Sequence, residues 1–463
     1  MSALTDRIRG IVTPASARSN SSELPPSRGT PFGETSRQGR PDGPVPAYPA
    51  LPAHPAPADL STLGGDWCGD CFVVDRRWPP SARYGKEAVG TFAQCLDEAS
   101  AQAVLFAHDP PARAPFVFFD LETTGLSGGA GTQAFLVGCG RFDADGGFQT
   151  RQFVLTRHAD ERPLLETVAG ELARAGALVT FNGKSFDASL LETRYLFHRL
   201  EWSVRCLPHV DVLHPARQFW KPVARPLGRD RAVASPVLRE HACSLIALER
   251  EILGIRRTGD VPGFQVPGRY FHFVRTGDAD PLAAVLEHNR RDLLSLAALT
   301  ARLFHLARSG PEAARNAREA IALGRVYARA GHDDRACDAF SHALGRCGSP
   351  RGAFDPLRID ALRLLAAVRR RTRRHDEAAS CWRALLEIRG CPPAVVREAT
   401  EALAIHHEHR VRDLPAARLF ALQSLETVEG ERPGWTAAVQ HRLTRIDRKM
   451  GSKSEVGSLE FDV

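Results

Sequence analysis

The hydrophobic pattern of the sequence changes near residue 310, and this change limits the possible fold more than any other feature. Between Pro115 and about Leu306, short runs rich in β-branched and aromatic residues alternate with stretches of helical periodicity. This alternation predicts an α/β domain built on a central sheet. Beyond Pro311 the pattern is almost wholly helical. We therefore predict an α/β domain followed by an all-α domain.

Composition divides the remainder of the 463-residue chain. The first 60 residues hold eleven of the 32 prolines and lack the apolar residues that a packed core needs, which predicts a disordered arm. The segment that follows mixes a short strand pattern with a helical one. The expected organisation is an arm (1–60), an N-terminal accessory segment (61–110), the α/β domain (111–309), the helical domain (310–450) and a flexible tail (451–463).

Charge and cysteine usage restrict the class of protein. Lys and Arg exceed Asp and Glu by 61 to 54, and this mild excess favours a polyanionic partner. The N-terminus, MSALTDRIRGIVTP, lacks the apolar stretch of a signal peptide, and no run of about 18 apolar residues predicts a membrane span. The ten cysteines follow no disulfide framework. We expect a cytoplasmic protein with reduced thiols.

The helical domain contains three segments that align with one another, at spacings of 42 and 38 residues. In each, a small residue is followed four positions later by an aromatic one, as in helix pairs that nest together. Such repeats bury their apolar faces against their neighbours and usually bind a protein partner. A plain helical bundle is the alternative. The aligned positions are Ala336, Ala378 and Ala416, followed by Phe340, Trp382 and Phe420.

Two carboxylates stand at the end of a strongly apolar strand pattern. In FFDLETTG, residues 118–125, the two-residue period of a strand places Asp120 and Glu122 on one face, before Thr123-Thr124-Gly125 ends the strand. Ligands of α/β sheets bind beyond the carboxyl ends of strands. Paired carboxylates there can bind Mg²⁺ or Mn²⁺. When no other acidic motif accompanies them, however, an Asp and a Glu after a strand more often cap a turn.

Two further segments carry acids in similar settings. In ALVTFNGKSFDASLL, an apolar strand and an Asn182-Gly183 turn precede Asp187 at the start of a helix. A later helix begins with Asp280 as its predicted N-cap, and it places His288 and Asp292 on a core-facing stripe. A buried carboxylate is costly unless a cation or a partner compensates its charge. A metal cluster would compensate the charge of Asp292, and His288, one helical turn away, is expected to point into the same cavity.

These motifs resemble those of a known family. The chain is similar to the bacterial YprB-like family through DLETTGLSGGAGTQAFLVG, TFNGKSFDASLLETR, DVLHPARQFW, LEREILGIRRTGDVPG and HNRRDLLSL, which occur in that order. The resemblance implies an RNase H-like exonuclease domain of the DEDD superfamily, with a mixed central sheet flanked by helices. It also implies a following domain of tetratricopeptide-like helical repeats.

The resemblance implies a mechanism and a set of site residues. Two Mg²⁺ or Mn²⁺ ions would be held by Asp120, Glu122, Asp187 and Asp292, and the reaction would release nucleotides from a 3′ end. His288 would act as a general base, although it precedes Asp292 by four residues, the spacing at which this superfamily usually has Tyr. The expected substrate contacts are Thr123, Asn182 and Lys184, with a simple turn as the alternative for Asn182.

The expected partners are nucleic acid, either DNA or RNA, and a protein bound by the repeats. The resemblance suggests that this protein is a helicase. It also suggests that the chain acts in DNA repair or nucleic-acid processing. The competing hypothesis is an inactive nucleic-acid-binding or scaffold protein.

The Gly-rich segment SGGAGT (127–132) predicts a turn between adjacent strands. A basic insertion, Arg217 to Arg239, could guide a phosphate backbone, whereas RRRTRR (369–374) is typical of a solvated loop.

Overall fold

The computed structural model describes residues 59–107, 109–125, 131–221, 243–348, 352–426 and 433–458, and these residues belong to one compact unit. Nearly all of the predicted N-terminal arm lies outside the described residues. So do residues 126–130 of the Gly-rich segment, residues 222–242, which include most of the basic insertion, and the last five residues of the chain.

A seven-stranded mixed sheet forms the centre of the α/β domain, in agreement with the predicted fold class. Its order is β1-β2-β7-β6-β5-β8-β9; the β5–β8 and β8–β9 pairs are parallel and the other pairs are antiparallel. A separate two-stranded sheet pairs β3 with β4. The strands are β1 (Asp66–Cys68), β2 (Cys71–Trp78), β3 (Arg83–Tyr84), β4 (Glu87–Ala88), β5 (Phe116–Thr123), β6 (Ala134–Phe142), β7 (Phe148–Val154), β8 (Ala177–Thr180) and β9 (His209–Asp211).

Helices cover both faces of this sheet. Along β5, Phe116 and Phe118 contribute to the core on one face, whereas Val117 and Phe119 contribute to the core on the other, as the two-residue period requires. The helices of this domain are α1 (Val89–Glu98), α2 (Glu161–Leu172), α3 (Asp187–Phe197), α4 (Leu213–Trp220), α5 (Leu245–Leu248), α6 (Val266–Thr276) and α7 (Asp280–Ser309). A π-helical turn, Glu249–Leu253, follows α5 directly.

The segment expected to be accessory contributes to the main sheet. Strand β2 pairs with β7 over seven residue pairs, from Phe72 opposite Val154 to Trp78 opposite Phe148. The described chain begins at Asp59, and Leu60 is buried. Asp59 and Leu60, which fall within the predicted arm, are thus part of the described structure, and the main sheet contains strands from both sides of the predicted segment boundary at residue 110. Long-range strand pairing of this kind leaves no local signal in a sequence.

The C-terminal part is helical, with helices packed in sequence order. The first helix of each pair contacts the second, and neighbouring pairs contact each other. Gly324 makes close packing possible within the first pair, because a Cβ atom there would lie 2.5 Å from the ring of Phe340. The helices are α8 (Ala317–Arg329), α9 (Asp333–Gly345), α10 (Pro356–Arg371), α11 (His375–Leu386), α12 (Pro393–His406), α13 (Leu414–Glu426) and α14 (Pro433–Ser458).

The aligned repeat positions all fall in the second helix of a pair. Ala336, Ala378, Phe340 and Trp382 are buried, while Ala416 and Phe420 are partly exposed. The RRRTRR segment spans the end of α10 and the connection to α11, and its arginines include Arg371, bound to Asp333, and Arg374, bound to Glu377. Within the described ranges, no helix is both long enough and apolar enough to cross a bilayer.

Candidate active site

Asp120 and Glu122 lie at the carboxyl end of β5, on the sheet face that contacts α7. Their Cα partners on β6 are Gly138 and Leu136, and the register shifts directly after Glu122. Such an irregularity bends the strand and changes the direction of the side chains at its end. Both carboxylates are partly buried. The two acids are therefore held on the same face of a central strand, as the sequence predicts.

A glycine allows α7 to approach the sheet beneath Asp120. A Cβ atom at Gly138 would lie 2.2 Å from Oδ1 of Asn289, so a larger residue would displace this side chain. Asn289 is fully buried and donates a hydrogen bond from Nδ2 to Oδ2 of Asp120 across 2.8 Å. Gln152 donates from Nε2 to Oδ1 of Asn289, also across 2.8 Å. This network fixes the orientation of the Asp120 carboxylate.

Asp187 is the first residue of α3 and is held near the sheet by a tight turn. Asn182 has a positive φ of 68°, and a Cβ atom on Gly183 would lie 2.8 Å from Oδ2 of Asp187. Asp211, at the end of β9, accepts hydrogen bonds from the main-chain N–H groups of Asn182 (2.8 Å) and Lys184 (3.1 Å). The turn is thus tied to a neighbouring parallel strand.

Helix α7 supplies the remaining predicted residues. It begins at Asp280, with Ala279 as the N-cap, so Asp280 is the first helical residue and not the cap that the sequence predicts. The side-chain atom Nε2 of His288 lies 3.6 Å from Oδ2 of Asp292 and 3.9 Å from Oε1 of Glu122. The histidine therefore lies between an acid of its own helix and an acid of β5.

Burial and neighbouring negative charges raise the pKa values of Asp120, Glu122 and Asp187. The pKa of Asp120 lies well above its usual range because of burial and the negative charges of Asp292, Glu122 and Asp187. Burial raises the pKa of Glu122 to about 8, although the nearby His288 acts in the opposite direction. Burial, followed by the charge of Asp211, raises the pKa of Asp187 to about 7. All four acids thus share one electrostatic environment.

His288 is oriented by a carboxylate that the sequence did not identify. Nδ1 of His288 donates a hydrogen bond to Oδ1 of Asp260 across 2.8 Å. Burial lowers the pKa of His288, but the charge of Asp292 and the hydrogen bond to Asp260 outweigh this effect and raise it above 6.5. The bond to Asp260 leaves Nε2 facing the acids and available to accept a proton in the neutral ring.

Arg257 connects three carboxylates behind the cluster. Its guanidinium, only 4% exposed, binds Glu249 through Nε (2.7 Å), Asp260 through Nη1 (3.0 Å) and Asp292 through Nη2. Burial lowers the pKa of Arg257, but the bond to Glu249 and the charge of Asp292 raise it overall. Arg257 therefore stays charged and partly compensates Asp292.

The residues predicted to contact substrate differ in their settings. The side chains of Asn182 and Lys184 are exposed beside Asp187. Thr123 is buried, and its hydroxyl donates to the carbonyl oxygen of Gly125 across 2.9 Å. The Thr123 side chain is thus used within the turn that ends β5.

The chemistry of this cluster suits hard divalent cations, because carboxylate oxygens are the ligands that Mg²⁺ and Mn²⁺ prefer. Within the described ranges, no three His, Cys, Asp or Glu side chains are already arranged to hold an ion. Mg²⁺ is commonly bound by only one or two carboxylates together with water and substrate phosphates. The residues therefore fit such ions by donor type, without forming a closed protein cage.

Comparison with known proteins agrees with this architecture. A model of the RNase H superfamily matches residues 117–304, which include all four acids and His288. The chain is also 32% identical over 340 residues to the uncharacterized protein YprB of Bacillus subtilis (strain 168). The alignment covers 72% of this chain and 75% of YprB. The superfamily match indicates a nuclease that acts on nucleic acid, and nucleases of this superfamily generally use divalent metal ions.

Proposed function

Because the chain belongs to the family of RNase H superfamily proteins that includes YprB, we propose that it is a DEDD-type, metal-dependent 3′–5′ exonuclease. The observation that supports this proposal is the convergence of Asp120, Glu122, Asp187 and Asp292 at the carboxyl end of β5. The raised carboxyl pKa values of Asp120, Glu122 and Asp187 indicate that the fold places negative charges together without compensating them fully. Sites that perturb several pKa values in this way are typical of catalysis.

The four acids would hold two Mg²⁺ or Mn²⁺ ions. When bound, such ions polarise the phosphodiester, lower the pKa of a water molecule and stabilise the departing 3′ oxygen. The remaining chemistry belongs to the side chains of this chain. Asn289 orients Asp120, and Asp260 holds the His288 ring so that Nε2 would accept a proton from the attacking water.

Substrate contacts would come from the turn beside Asp187. The exposed Lys184 ammonium would bind a phosphate, and the exposed Asn182 amide would bind a phosphate or a base edge. Because the Thr123 hydroxyl is used within its own turn, a contact from this residue would involve its main chain. The proposal leaves DNA and RNA as equal candidates, because neither side chain discriminates a 2′-hydroxyl by itself.

The proposal extends to cellular context only through the family resemblance. On this basis the chain would be a cytoplasmic protein that acts in DNA repair or nucleic-acid processing. Its tetratricopeptide-like repeats would bind a helicase-type partner. One observation favours the alternative of an inactive scaffold: the ion pair with Arg257 occupies one of the two carboxylate oxygens with which Asp292 could bind a metal. A catalytic site would have to release this oxygen or use the other one.

An assay of labelled oligonucleotides separates these possibilities. DNA and RNA strands labelled at the 5′ or the 3′ end are incubated with the full chain in Mg²⁺, Mn²⁺ or EDTA. A 3′–5′ exonuclease shortens the 5′-labelled strand stepwise and releases the 3′ label at once as a mononucleotide, and EDTA stops both reactions. Internal cuts, removal from the 5′ end or unchanged hydrolysis in EDTA would overturn the proposal. Binding without hydrolysis would favour the scaffold.

A further inference from the structure

A cavity of about 480 Å³ opens beside the acidic cluster, between the α/β domain and the first helical repeat. Its volume lies within the range of ligand pockets, about 300–1,000 Å³. Helix α4 contributes His214 and Gln218, while Arg329 and His332 come from the end of α8 and the connection to α9. The cavity is therefore built by both domains.

The cavity reaches the candidate active site through the turn at Lys184. Lys184 and Asp211 both line it. The main-chain N–H of Lys184 donates to Asp211, and a Cβ atom on the preceding Gly183 would lie only 2.8 Å from Oδ2 of Asp187. A ligand in this cavity would therefore lie next to the second acidic motif.

A second cavity, of about 670 Å³, extends the first along the repeat helices. The two cavities share Gln218 and Arg329 as lining residues, and the second continues to Arg325 on α8 and Arg371 on α10. We call the two cavities together the repeat groove. It leads from the acidic cluster onto the surface of the first two helix pairs.

The charges of the repeat groove favour a polyanion. Arg329 is exposed, and its guanidinium donates to the uncharged amide of Gln218 across 3.3 Å. Among the ion pairs formed by the described residues, none involves Lys184 or Arg329, so no described carboxylate is paired with either charge, although that of Asp211 also lines the first cavity. Arg325 and Arg371 are paired with Asp360 and Asp333.

Part of the lining of the first cavity is apolar. It consists of Val104, Leu105 and Phe106, and the ring of Phe106 stacks on Phe304 with an interplanar angle of 20°. A groove lined by both cations and apolar side chains suits a single nucleic-acid strand, which presents phosphates and base faces together. A small anion would not need the apolar side chains.

We propose that the repeat groove binds the single strand that continues from the nucleotide being hydrolysed, so that the helical repeats form part of the substrate-binding surface. This inference rests on the proposed nuclease function and adds a path for the substrate. DNA and RNA share the chemistry that the groove recognises. Arg329 is the residue that the geometry assigns most directly to a phosphate of that strand.

Binding measurements in EDTA test the groove independently of hydrolysis. Fluorescence anisotropy is recorded for single-stranded DNA and RNA of about 20 nucleotides over a range of salt concentrations. Arg329→Ala should weaken binding by about three- to tenfold and reduce the slope of log Kd against log salt by about 0.7, the value for one phosphate contact. Arg325→Ala combined with Arg329→Ala should reduce the slope by up to about 1.4.

Arg389→Ala is the matched control, because Arg389 is exposed on the repeat domain and lines neither cavity. It should leave both Kd and salt slope unchanged, and melting curves should show that all variants are folded. Suppose that the wild-type protein hydrolyses oligonucleotides and that Arg329→Ala binds them with unchanged Kd and salt slope. This result would overturn the proposal that the repeat groove binds the strand, but it would not affect the proposed nuclease function. Binding that depends on Arg329, without any hydrolysis, would support strand binding by the repeat groove and overturn the proposed nuclease function.

Discussion

Nδ1 of His288 donates a hydrogen bond to the carboxylate of Asp260 across 2.8 Å, although 28 residues separate the two in sequence. Asp260 also binds Arg257, which reaches Asp292. The residues that orient the histidine and the fourth acid thus form one connected group behind the site. This arrangement leads to predictions for the rate, its pH dependence and the stability of the fold.

Asp260→Asn should reduce the hydrolysis rate by about 10- to 100-fold, the usual effect of removing a group that orients a reactive side chain. The negative charge of Asp260 raises the pKa of His288, so its loss lowers this pKa. The neutral imidazole then forms at lower pH, and the rising limb of the rate profile should move to lower pH. The exposed Asp145→Asn serves as the control. A reduced rate with an unmoved profile would mean that Asp260 supports the fold alone.

His288→Ala should lower the rate by about 10²–10⁴-fold, the usual contribution of a general base. The base must be neutral to act, and its pKa is raised above 6.5 by its acidic neighbours. The wild-type rate should therefore rise with pH through a midpoint above that value, and the variant should lose this rise. Rates are measured across the pH range at saturating metal. If the variant retains the wild-type rate and pH profile, His288 has no part in the reaction.

The metal-free protein should become less stable as the pH rises. Asp120, Glu122 and Asp187 have raised pKa values in the folded state, so the folded state binds more protons than the unfolded state between their two pKa values. Their contribution to stability is complete below an unfolded pKa of about 4; it is lost as the pH rises through about 7 for Asp187 and about 8 for Glu122, and at higher pH than its usual range for Asp120. In EDTA, Tm should fall between about pH 6 and pH 8.5, and Mg²⁺ should restore it most at the higher pH.

A Tm in EDTA that stays level or rises over the same interval would contradict this electrostatic account of the cluster. The Asp120→Asn variant gives an internal check. Since it removes one of the repelling charges, its Tm should depend on pH less steeply than that of the wild type.

Gly138→Ala should destabilise the fold by about 1–3 kcal/mol, as is usual when a close-packed site is overfilled. The added Cβ would meet Asn289 at 2.2 Å and displace the donor that orients Asp120, so activity should fall as well. Chemical denaturation measures the change. Gly170→Ala is the control, because its Cβ would have open space on α2 and should raise stability slightly. Equal stability of both variants would show that α7 can shift without cost.

Local sequence patterns predicted the elements that carry the acids. The two-residue period of FFDLET placed Asp120 and Glu122 on one face, and the helical stripe placed His288 near Asp292. Both features depend on neighbours within a few residues, which local rules describe well. The DEDD assignment and the tetratricopeptide identity of the repeats stay predictions.

Other features depend on contacts that no local pattern encodes. Arg257 and Asp260 lie between helices, and nothing in RRTGD indicates which arginine faces the core or which acid meets a histidine on α7. Asn289 belongs to the motif HNRRDLLSL, from which no role for it was predicted, and its position depends on the absence of a side chain at Gly138. The addition of β1 and β2 to the main sheet likewise results from pairing between segments about 80 residues apart.

The most direct test of the account is hydrolysis by Asp120→Ala and Asp187→Ala in Mg²⁺, compared with the exposed-acid control Asp145→Ala. Each of the first two variants lacks one proposed cation ligand and one repelling charge. We predict no detectable release of nucleotides from a labelled oligonucleotide, rates below that of His288→Ala, and a Tm in EDTA equal to or above that of the wild type. The control should retain full activity. Wild-type rates in a folded Asp120→Ala or Asp187→Ala protein would contradict the central claim that these acids form the metal site of a nuclease.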